Sequence, residues 1–204
     1  MERNYLILSI IAGFAIVILA GYLLLNVPVS PYKYSETRQG IEFNSTSSDP
    51  GTLLGRMRDS GSFIISPQFV QVGTQNSYMT SSLTLLTTVL AAKKKDFVVV
   101  ARVVDESGGA LSGCYTNFGD LKQNKPITVE ECNQMINDTA SSRIFVDMPK
   151  PNAPKPRIIV EDNLVRVEPA AFSDVARDTY VLLTILYSDT DQIISNVNGI
   201  LGNI

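Results

Sequence analysis

A long apolar run opens the chain. From Tyr5 to Val27 there are 23 consecutive residues without a charged side chain, and Pro28 follows. A helix of about 20 apolar residues is long enough to cross the hydrocarbon core of a bilayer. The run exceeds the roughly 7–15 apolar residues of a cleaved signal peptide, and the residues before it are not strongly basic. We therefore expect residues 1–27 to form an uncleaved single-pass transmembrane anchor, a signal-anchor.

The pattern changes abruptly after the anchor. Residues 28–48 contain two prolines and many Ser, Thr and Asn side chains, which predicts a juxtamembrane linker with one short strand near Ile41–Phe43. Residues 49–204 are long enough to form one domain with its own hydrophobic core. The predicted organisation is therefore an anchor, a linker and one domain.

Helices are predicted where apolar residues recur at spacings of three and four. Two of them have start signals: Asp49 precedes a proline at the first helical position, and Thr128 and Glu131 match a capping box. The predicted helices run from Asp49 to Ser60, Met79 to Lys93, Thr128 to Ile136, Ala171 to Tyr187 and Thr190 to Ile204. For Ala171–Tyr187 a strand is the alternative, because of its Thr, Val and Tyr content.

Strands are predicted where β-branched apolar residues form short runs. Asp162-Asn163 separates two such runs and indicates a two-residue hairpin. The stretch from Glu106 to Pro126 is predicted to be a long loop, and Pro149–Pro156 a proline-rich connector. The predicted strands are Ser62–Ser66, closed by Pro67, then Asp96–Asp105, Arg143–Met148, Arg157–Val160 and Leu164–Val167.

This order predicts an α/β domain with a mixed sheet, parallel at first and antiparallel at the hairpin. Over residues 62–187 it resembles a thioredoxin-like arrangement: a βαβ unit, a helix, an antiparallel hairpin and a final helix. The C-x-x-C motif of that arrangement is replaced here by Ser66-Pro67-Gln68-Phe69. The resemblance therefore concerns topology alone and implies no redox activity.

The composition removes several classes of function. The chain contains no His, which excludes Ser-His-Asp and Cys-His catalysis and His-containing zinc sites. Two cysteines cannot form a four-cysteine metal site, and the formal net charge of −3 gives no broad basic surface for nucleic acid. We predict no catalytic residue, no metal and no cofactor, although an enzyme acting through carboxylates, Lys, Tyr or a thiol stays open.

Cysteines and sequons bear on the side of the membrane. Cys114 and Cys132 are an even pair that can form one disulfide, although idle thiols or a redox thiol are alternatives. Asn44 and Asn137 each begin a glycosylation sequon. Together these features favour an extracytoplasmic domain, because disulfides persist in oxidising compartments.

One loop is a candidate for ligand binding. Glycine-rich loops at the carboxyl ends of parallel strands can hold ligands, and Ser107 and Gly108 follow the predicted strand that ends at Asp105. Ser66 and Tyr115 are expected nearby. The loop matches neither a P-loop nor G-x-G-x-x-G, so a flexible turn is the competing interpretation.

The function predicted from the sequence is binding. We expect a membrane-anchored extracytoplasmic α/β domain that acts without catalysis as an accessory or envelope component. Its partners would be the membrane, through the N-terminal helix, and another protein. The alternatives are an anchored thiol-redox or other α/β enzyme, and a pilin-like filament subunit.

Overall fold

Four parallel strands form the centre of the structure, in the order β9-β7-β3-β4. The computed structural model describes residues 30–70, 76–105, 111–116, 125–150 and 155–201. Within these residues nine strands form one sheet with the order β1-β2-β8-β9-β7-β3-β4-β5-β6. They are β1 Tyr34–Arg38, β2 Ile41–Ser45, β3 Ser62–Val70, β4 Asp96–Val104, β5 Leu111–Thr116, β6 Lys125–Ile127, β7 Ser142–Val146, β8 Arg157–Glu161 and β9 Leu164–Glu168.

The antiparallel pairs lie on both sides of this parallel centre, so the predicted mixed α/β sheet is confirmed. The hairpin at Asp162-Asn163 forms as predicted, with Glu161 opposite Leu164. The thioredoxin-like order is not found. Strand β7 lies between the hairpin and β3, parallel to both of its neighbours, so the hairpin does not pair with the βαβ unit.

Among the described residues, five α-helices and one short 3-10 helix, Phe172–Asp174, accompany the sheet. The α-helices are α1 Pro50–Asp59, α2 Asn76–Ala92, α3 Val129–Ile136, α4 Val175–Leu186 and α5 Thr190–Leu201. The two helix starts that had capping signals agree with the structure, whereas α2 begins at Asn76 instead of Met79 and α4 at Val175 instead of Ala171. The Asp49 side chain accepts a hydrogen bond from the Thr52 N–H, and Thr128 and Glu131 form the reciprocal capping box. Helices α1, α2 and α4 pack on one face of the sheet, and α5 packs against α2 and α4.

The first hairpin corrects the predicted linker. Strands β1 and β2 lie within residues 28–48, yet they pair with each other, and β2 pairs in parallel with β8. Gln39 and Gly40 connect them with positive φ values of 51° and 79°, as a tight two-residue turn requires. Ile41 and Phe43 are 1% and 3% exposed and belong to the main core. The domain therefore begins before Asp49.

The predicted loop from Glu106 to Pro126 is also corrected. Leu111–Thr116 pairs antiparallel with β4, and Lys125–Ile127 pairs antiparallel with β5. The sequence LSGCYT has little β-branched character, so its strand forms through tertiary pairing rather than local preference.

Strand β3 continues through Pro67 instead of ending before it. The alignment of β3 with β4 keeps the same offset before and after the proline, with Ile65 opposite Val99 and Gln68 opposite Arg102. Proline has no N–H to donate to the Val100 carbonyl, and the Ser66 hydroxyl donates to that oxygen at 3.0 Å. The Arg102 guanidinium donates to the Ser66 carbonyl at 2.9 Å. Side chains thus supply the hydrogen bonding that allows a proline inside a central strand.

The membrane anchor predicted over Tyr5–Val27 lies outside the described residues. Within the part of the chain that the structure describes, the helices are too short or too polar to cross a bilayer.

A buried tyrosine in the helix layer predicts sensitivity to alkaline pH. The Tyr187 hydroxyl has no hydrogen-bond partner among the described residues. Burial raises the pKa of Tyr187 to about 12, with Arg58 opposing and Asp59 assisting. The folded pKa is thus above the unfolded value of about 10. Stability from this group is therefore complete below pH ~10 and is lost as the pH rises through ~12.

We expect Tyr187→Phe to leave stability at pH 7 nearly unchanged, because the hydroxyl makes no hydrogen bond there. Urea unfolding of both proteins at pH 8 and at several values above pH 10 measures the effect. As the pH is raised above 10, the free energy of unfolding should fall less for the variant than for the original protein. Equal losses would show that Tyr187 does not resist ionisation.

Candidate functional site

The face of the sheet opposite α1, α2 and α4 carries the candidate site, and we call it the second face. Helix α3 is the helix that packs on it, and α3 contacts β3, β4 and β5. Because side chains alternate along a strand, the second face of β7 and β9 presents the residues between the core positions. These are Phe145 on β7, Asp147 directly after β7, and Arg166 and Glu168 on β9. Arg102 of β4 lies on the same face.

Two of these arginines meet at one carboxylate, that of Asp147. Arg102 donates to Asp147 Oδ1 at 2.8 Å, and Arg166 donates to Asp147 Oδ2 at 2.7 Å. The side chains of Arg102 and Asp147 are only 10% and 5% exposed, whereas Arg166 is 31% exposed. We call Arg102, Asp147, Arg166 and Phe145 the arginine network.

An aromatic ring lies at the centre of the network. The Arg102 guanidinium carbon is 4.8 Å from the Phe145 ring centroid, and that of Arg166 is 5.1 Å from it. Both cations are therefore within the range of a cation–π interaction. Phe145 is 6% exposed, and the two stacked arginines account for part of this burial, since long cationic side chains can cover apolar surface.

The pKa values of the two arginines shift in opposite directions. It lowers the pKa of Arg102, and the favourable charge of Asp147 offsets only part of that effect. Burial also acts to lower the pKa of Arg166, but Asp147, Glu168 and Glu161 together raise it. Arg102 Nε is buried without a hydrogen-bond partner among the described residues. Arg102 is thus the buried member of the network, and Arg166 is the more accessible one.

The charged row continues along the second face beyond Arg166. Glu168, 11% exposed, accepts from Arg157 at 2.6 Å and from Lys150 at 3.2 Å, on different carboxylate oxygens. Arg157 and Lys150 are 36% and 63% exposed. Four cations therefore surround two carboxylates on this part of the sheet, and the exposed donors lie on Arg166, Arg157 and Lys150.

This arrangement favours recognition over proton transfer. All four oxygens of Asp147 and Glu168 are engaged by cations, so neither carboxylate is free to act as a general base or as a metal ligand. Guanidinium groups stay protonated and can bind carboxylates or phosphates through two parallel hydrogen bonds. The partly exposed guanidinium of Arg166 therefore has the donor chemistry that an anionic group requires.

Of the predicted ligand loop, the structure describes Ser66, Asp105 and Tyr115, and the side chains of Ser66 and Tyr115 lie on opposite faces of the sheet. Ser66 is 0% exposed and uses its hydroxyl within the sheet. Tyr115 pairs with Ala101 and packs toward the helix core, on the face opposite the Ser66 side chain. Asp105 directly follows β4 at the carboxyl edge of the parallel strands. Ser107 and Gly108 lie outside the described residues.

The two cysteines lie at disulfide distance, with Cα atoms 6.1 Å apart. Cys114 on β5 and Cys132 on α3 are 1% and 0% exposed, in a cluster with Ile64 and Val100. A buried apolar setting is typical of structural cysteines rather than reactive ones.

The sequons differ in accessibility. Asn137 is the C-cap residue of α3 and is exposed. Asn44 lies within β2 and is 4% exposed, so the folded domain does not present it to solvent. A glycan is bulky and needs a surface position; the folded domain offers one at Asn137 and not at Asn44, and glycosylation itself stays a prediction.

Among the described residues, cavities also open away from the arginine network, and two of them lie at the amino ends of the parallel strands. One of about 390 Å³ lies near the hairpin tip and the end of α1; its polar lining includes Arg56 and Asp162, paired at 3.3 Å, and Asn163. Asn163 is fully used by hydrogen bonds to Arg143 and to two backbone carbonyls. The other, about 250 Å³, is more apolar and lies between α3 and the amino ends of β3 and β4. Both are at the edge opposite the carboxyl ends of the parallel strands, where ligand sites are less common.

A buried carboxyl also occurs in the helix layer. Asp178 of α4 is 0% exposed; Arg177 donates to its Oδ1, and its Oδ2 has no hydrogen-bond partner among the described residues. Burial raises the pKa of Asp178, and Arg177 opposes the increase. Such a group can act in acid–base chemistry when a ligand reaches it, but this side chain is closed to solvent.

Reasoning from the sequence did not find the arginine network. Arg102 stands inside the run DFVVVARVVD, and Arg166 inside LVRVE. A cation within an apolar strand is rarely buried without a partner. That signal indicates a buried ion pair, but it does not identify Asp147 as the shared partner.

Comparison with protein families, curated proteins and solved structures finds no match for this chain.

Proposed function

We propose that this chain is a single-pass membrane-anchored, extracytoplasmic α/β domain that acts without catalysis as a binding or accessory component. The recognition surface is the arginine network with the adjoining Arg157 and Lys150. The target is an acidic group on a protein partner. The observation that carries the binding proposal is the pair of arginines that share Asp147 across Phe145, with Arg166 still accessible.

The membrane part of the proposal is supported by the uncharged run Tyr5–Val27. The extracytoplasmic part is supported by Cys114 and Cys132 at disulfide distance and by the exposed sequon residue Asn137. The location of the site agrees with the binding role. Ligands of open α/β sheets bind near the carboxyl ends of the strands, and Asp147 directly follows the carboxyl end of β7.

An engineered thiol tests the location. Ser81 is exposed on α2, and the native cysteines are buried, so Ser81→Cys provides a single accessible thiol. We expect a membrane-impermeant maleimide to label Ser81→Cys on intact cells and to leave the original protein unlabelled. Labelling that appears only after lysis would place the domain in the cytoplasm and contradict the proposal.

Arg166→Ala tests the binding surface. The variant keeps the Arg102–Asp147 pair, so the fold should persist, but it loses the accessible guanidinium. We expect at least a tenfold weaker complex with the partner that is cross-linked to the protein in membranes, because a hydrogen bond to a charged group contributes about 1.5–3 kcal/mol. Quantitative capture after mild solubilisation, at low and high salt, measures the loss.

Arg58→Ala is the matched control, because Arg58 is 58% exposed and pairs only with the adjacent Asp59 at 3.6 Å among the ion pairs of the described residues. It should leave the captured complex unchanged. Arg166→Lys should restore binding only in part, since an ammonium cannot make the paired hydrogen bonds of a guanidinium. An equal effect of Arg166→Ala and Arg58→Ala would contradict the assignment of the surface.

A further inference from the structure

The two outer strands of the sheet differ in their ability to accept another strand. At one edge, β6 has three residues and contains Pro126, which lacks an N–H. At the other edge, β1 has five residues and no proline, and among the described strands it pairs only with β2. Short strands and prolines protect sheet edges from pairing with another chain. The β1 edge lacks both protections.

The turn after β1 determines which backbone groups are free. A two-residue turn joins Arg38 to Ile41, so these residues form a hydrogen-bonded pair. Backbone groups alternate in direction along a strand, so those of Ser35 and Thr37 point away from β2. Both residues are exposed. The outer edge of β1 therefore offers two donors and two acceptors in extended conformation.

The charges beside Thr37 are self-complementary. Glu36 and Arg38 lie on the same face of β1 and pair with each other at 2.9 Å, and the Tyr34 hydroxyl donates to Glu36. If a second β1 aligns antiparallel with a two-fold axis at Thr37, each Glu36 lies opposite Arg38 of the second copy. An axis at Glu36 or at Arg38 would instead place like charges opposite each other, which is destabilising. An axis at Ser35, the other residue with outward backbone groups, would place tyrosines opposite Glu36 and Arg38 and would form no opposite-charge pair. The charges therefore favour the axis at Thr37.

We propose that β1 pairs antiparallel with β1 of a second copy of this chain, across a two-fold axis at Thr37. Thr37 exchanges backbone hydrogen bonds with Thr37 of the second copy, and the two Glu36–Arg38 pairs merge into a four-residue network of alternating charge. The inference rests on the proposed membrane anchor in one respect. The few backbone hydrogen bonds between two β1 strands give a weak contact, and confinement of both copies to one membrane raises their effective concentration.

Cysteine cross-linking of the full-length protein in its membrane tests the alignment. Thr37→Cys places two thiols directly opposite, with Cα atoms about 5.5 Å apart, which is within disulfide range. Ser35→Cys is the matched control, because it is equally exposed on the same face, but its two copies would be offset by ~14 Å along the strands. Under mild oxidation we expect a covalent dimer at least fivefold more abundant for Thr37→Cys. Equal amounts from both variants, or none from either, would overturn the proposal.

Charge exchange tests the self-complementarity independently. In the Thr37→Cys background, Glu36→Arg or Arg38→Glu alone should lower dimer formation, because each places like charges across the axis. Co-expression of the two differently tagged variants should restore a mixed dimer, since every cation then meets an anion. A mixed dimer no more abundant than either self-dimer would contradict the alignment.

The same samples separate this inference from the proposed function. Fractionation reports whether the chain is in the membrane, and cross-linking reports the strand pairing. A protein that is in the membrane but does not cross-link selectively at position 37 retains the anchor and loses the dimer. A protein that is outside the membrane but cross-links selectively retains the dimer and loses the anchor.

Discussion

Replacing Asp147 by Ala is expected to lower the free energy of unfolding by about 3–5 kcal/mol, because it leaves a buried cation without its partner. Arg102 is the affected cation: its side chain is 10% exposed and its only ion pair among the described residues is with Asp147. Urea unfolding of the purified protein at neutral pH, followed by circular dichroism, measures the change.

Two further variants show where this loss originates. Asp59→Ala removes a carboxylate that is 77% exposed, and it should cost no more than about 0.5 kcal/mol, as surface substitutions usually do. Adding Arg102→Met to Asp147→Ala should recover part of the loss, because an apolar side chain of similar length needs no counterion. If the double variant lost as much stability as the two single variants lose together, the loss caused by Asp147→Ala would not come from an unpaired guanidinium.

Reduction is expected to destabilise the domain by about 3 kcal/mol, the cost of losing a cross-link that closes a loop of this size. Cys114 and Cys132 are 18 positions apart and join β5 to α3. Unfolding of the original protein with and without reductant, in urea, isolates the cross-link from any change in packing.

Single substitutions then distinguish a bond from mere proximity. Cys114→Ala and Cys132→Ala should each remove the whole effect of reductant, because either change abolishes the same bond. An original protein that is equally stable with and without reductant would show that the two thiols are free. In that case the support for an oxidising compartment would be lost.

Local signals in the sequence were enough to predict most of the helices and the central strands. Asp49, Thr128 and Glu131 defined helix starts that the structure confirms. The errors came from strands without a local signature. Tyr34–Arg38 is polar because it lies at an edge, and Leu111–Thr116 forms because β4 and β6 pair with it. Pairing between distant strands overrides local preference in such segments.

The candidate site was not predictable because its members come from three strands. Arg102, Asp147 and Arg166 are separated by 45 and 19 positions, and only the strand order β9-β7-β3-β4 brings them together. The sequence showed that charges occur within apolar runs, but not which of them meet. Side chains alternate between the two faces along β7 and β9, and this alternation places Phe145 between the arginines. Its position therefore depends on the register of strand pairing as well as on the order of the strands.

The hydrogen bonds around Pro67 also restrict how β3 and β4 can align while the chain folds. β4 contains three consecutive valines, Val98–Val100, so sliding it by two positions would still leave apolar side chains on both faces of the sheet. Such a slip would take Arg102 away from both the Ser66 carbonyl and Asp147 and would leave its buried guanidinium without them. A single arginine thereby penalises the misaligned sheets that a valine-rich strand would otherwise tolerate.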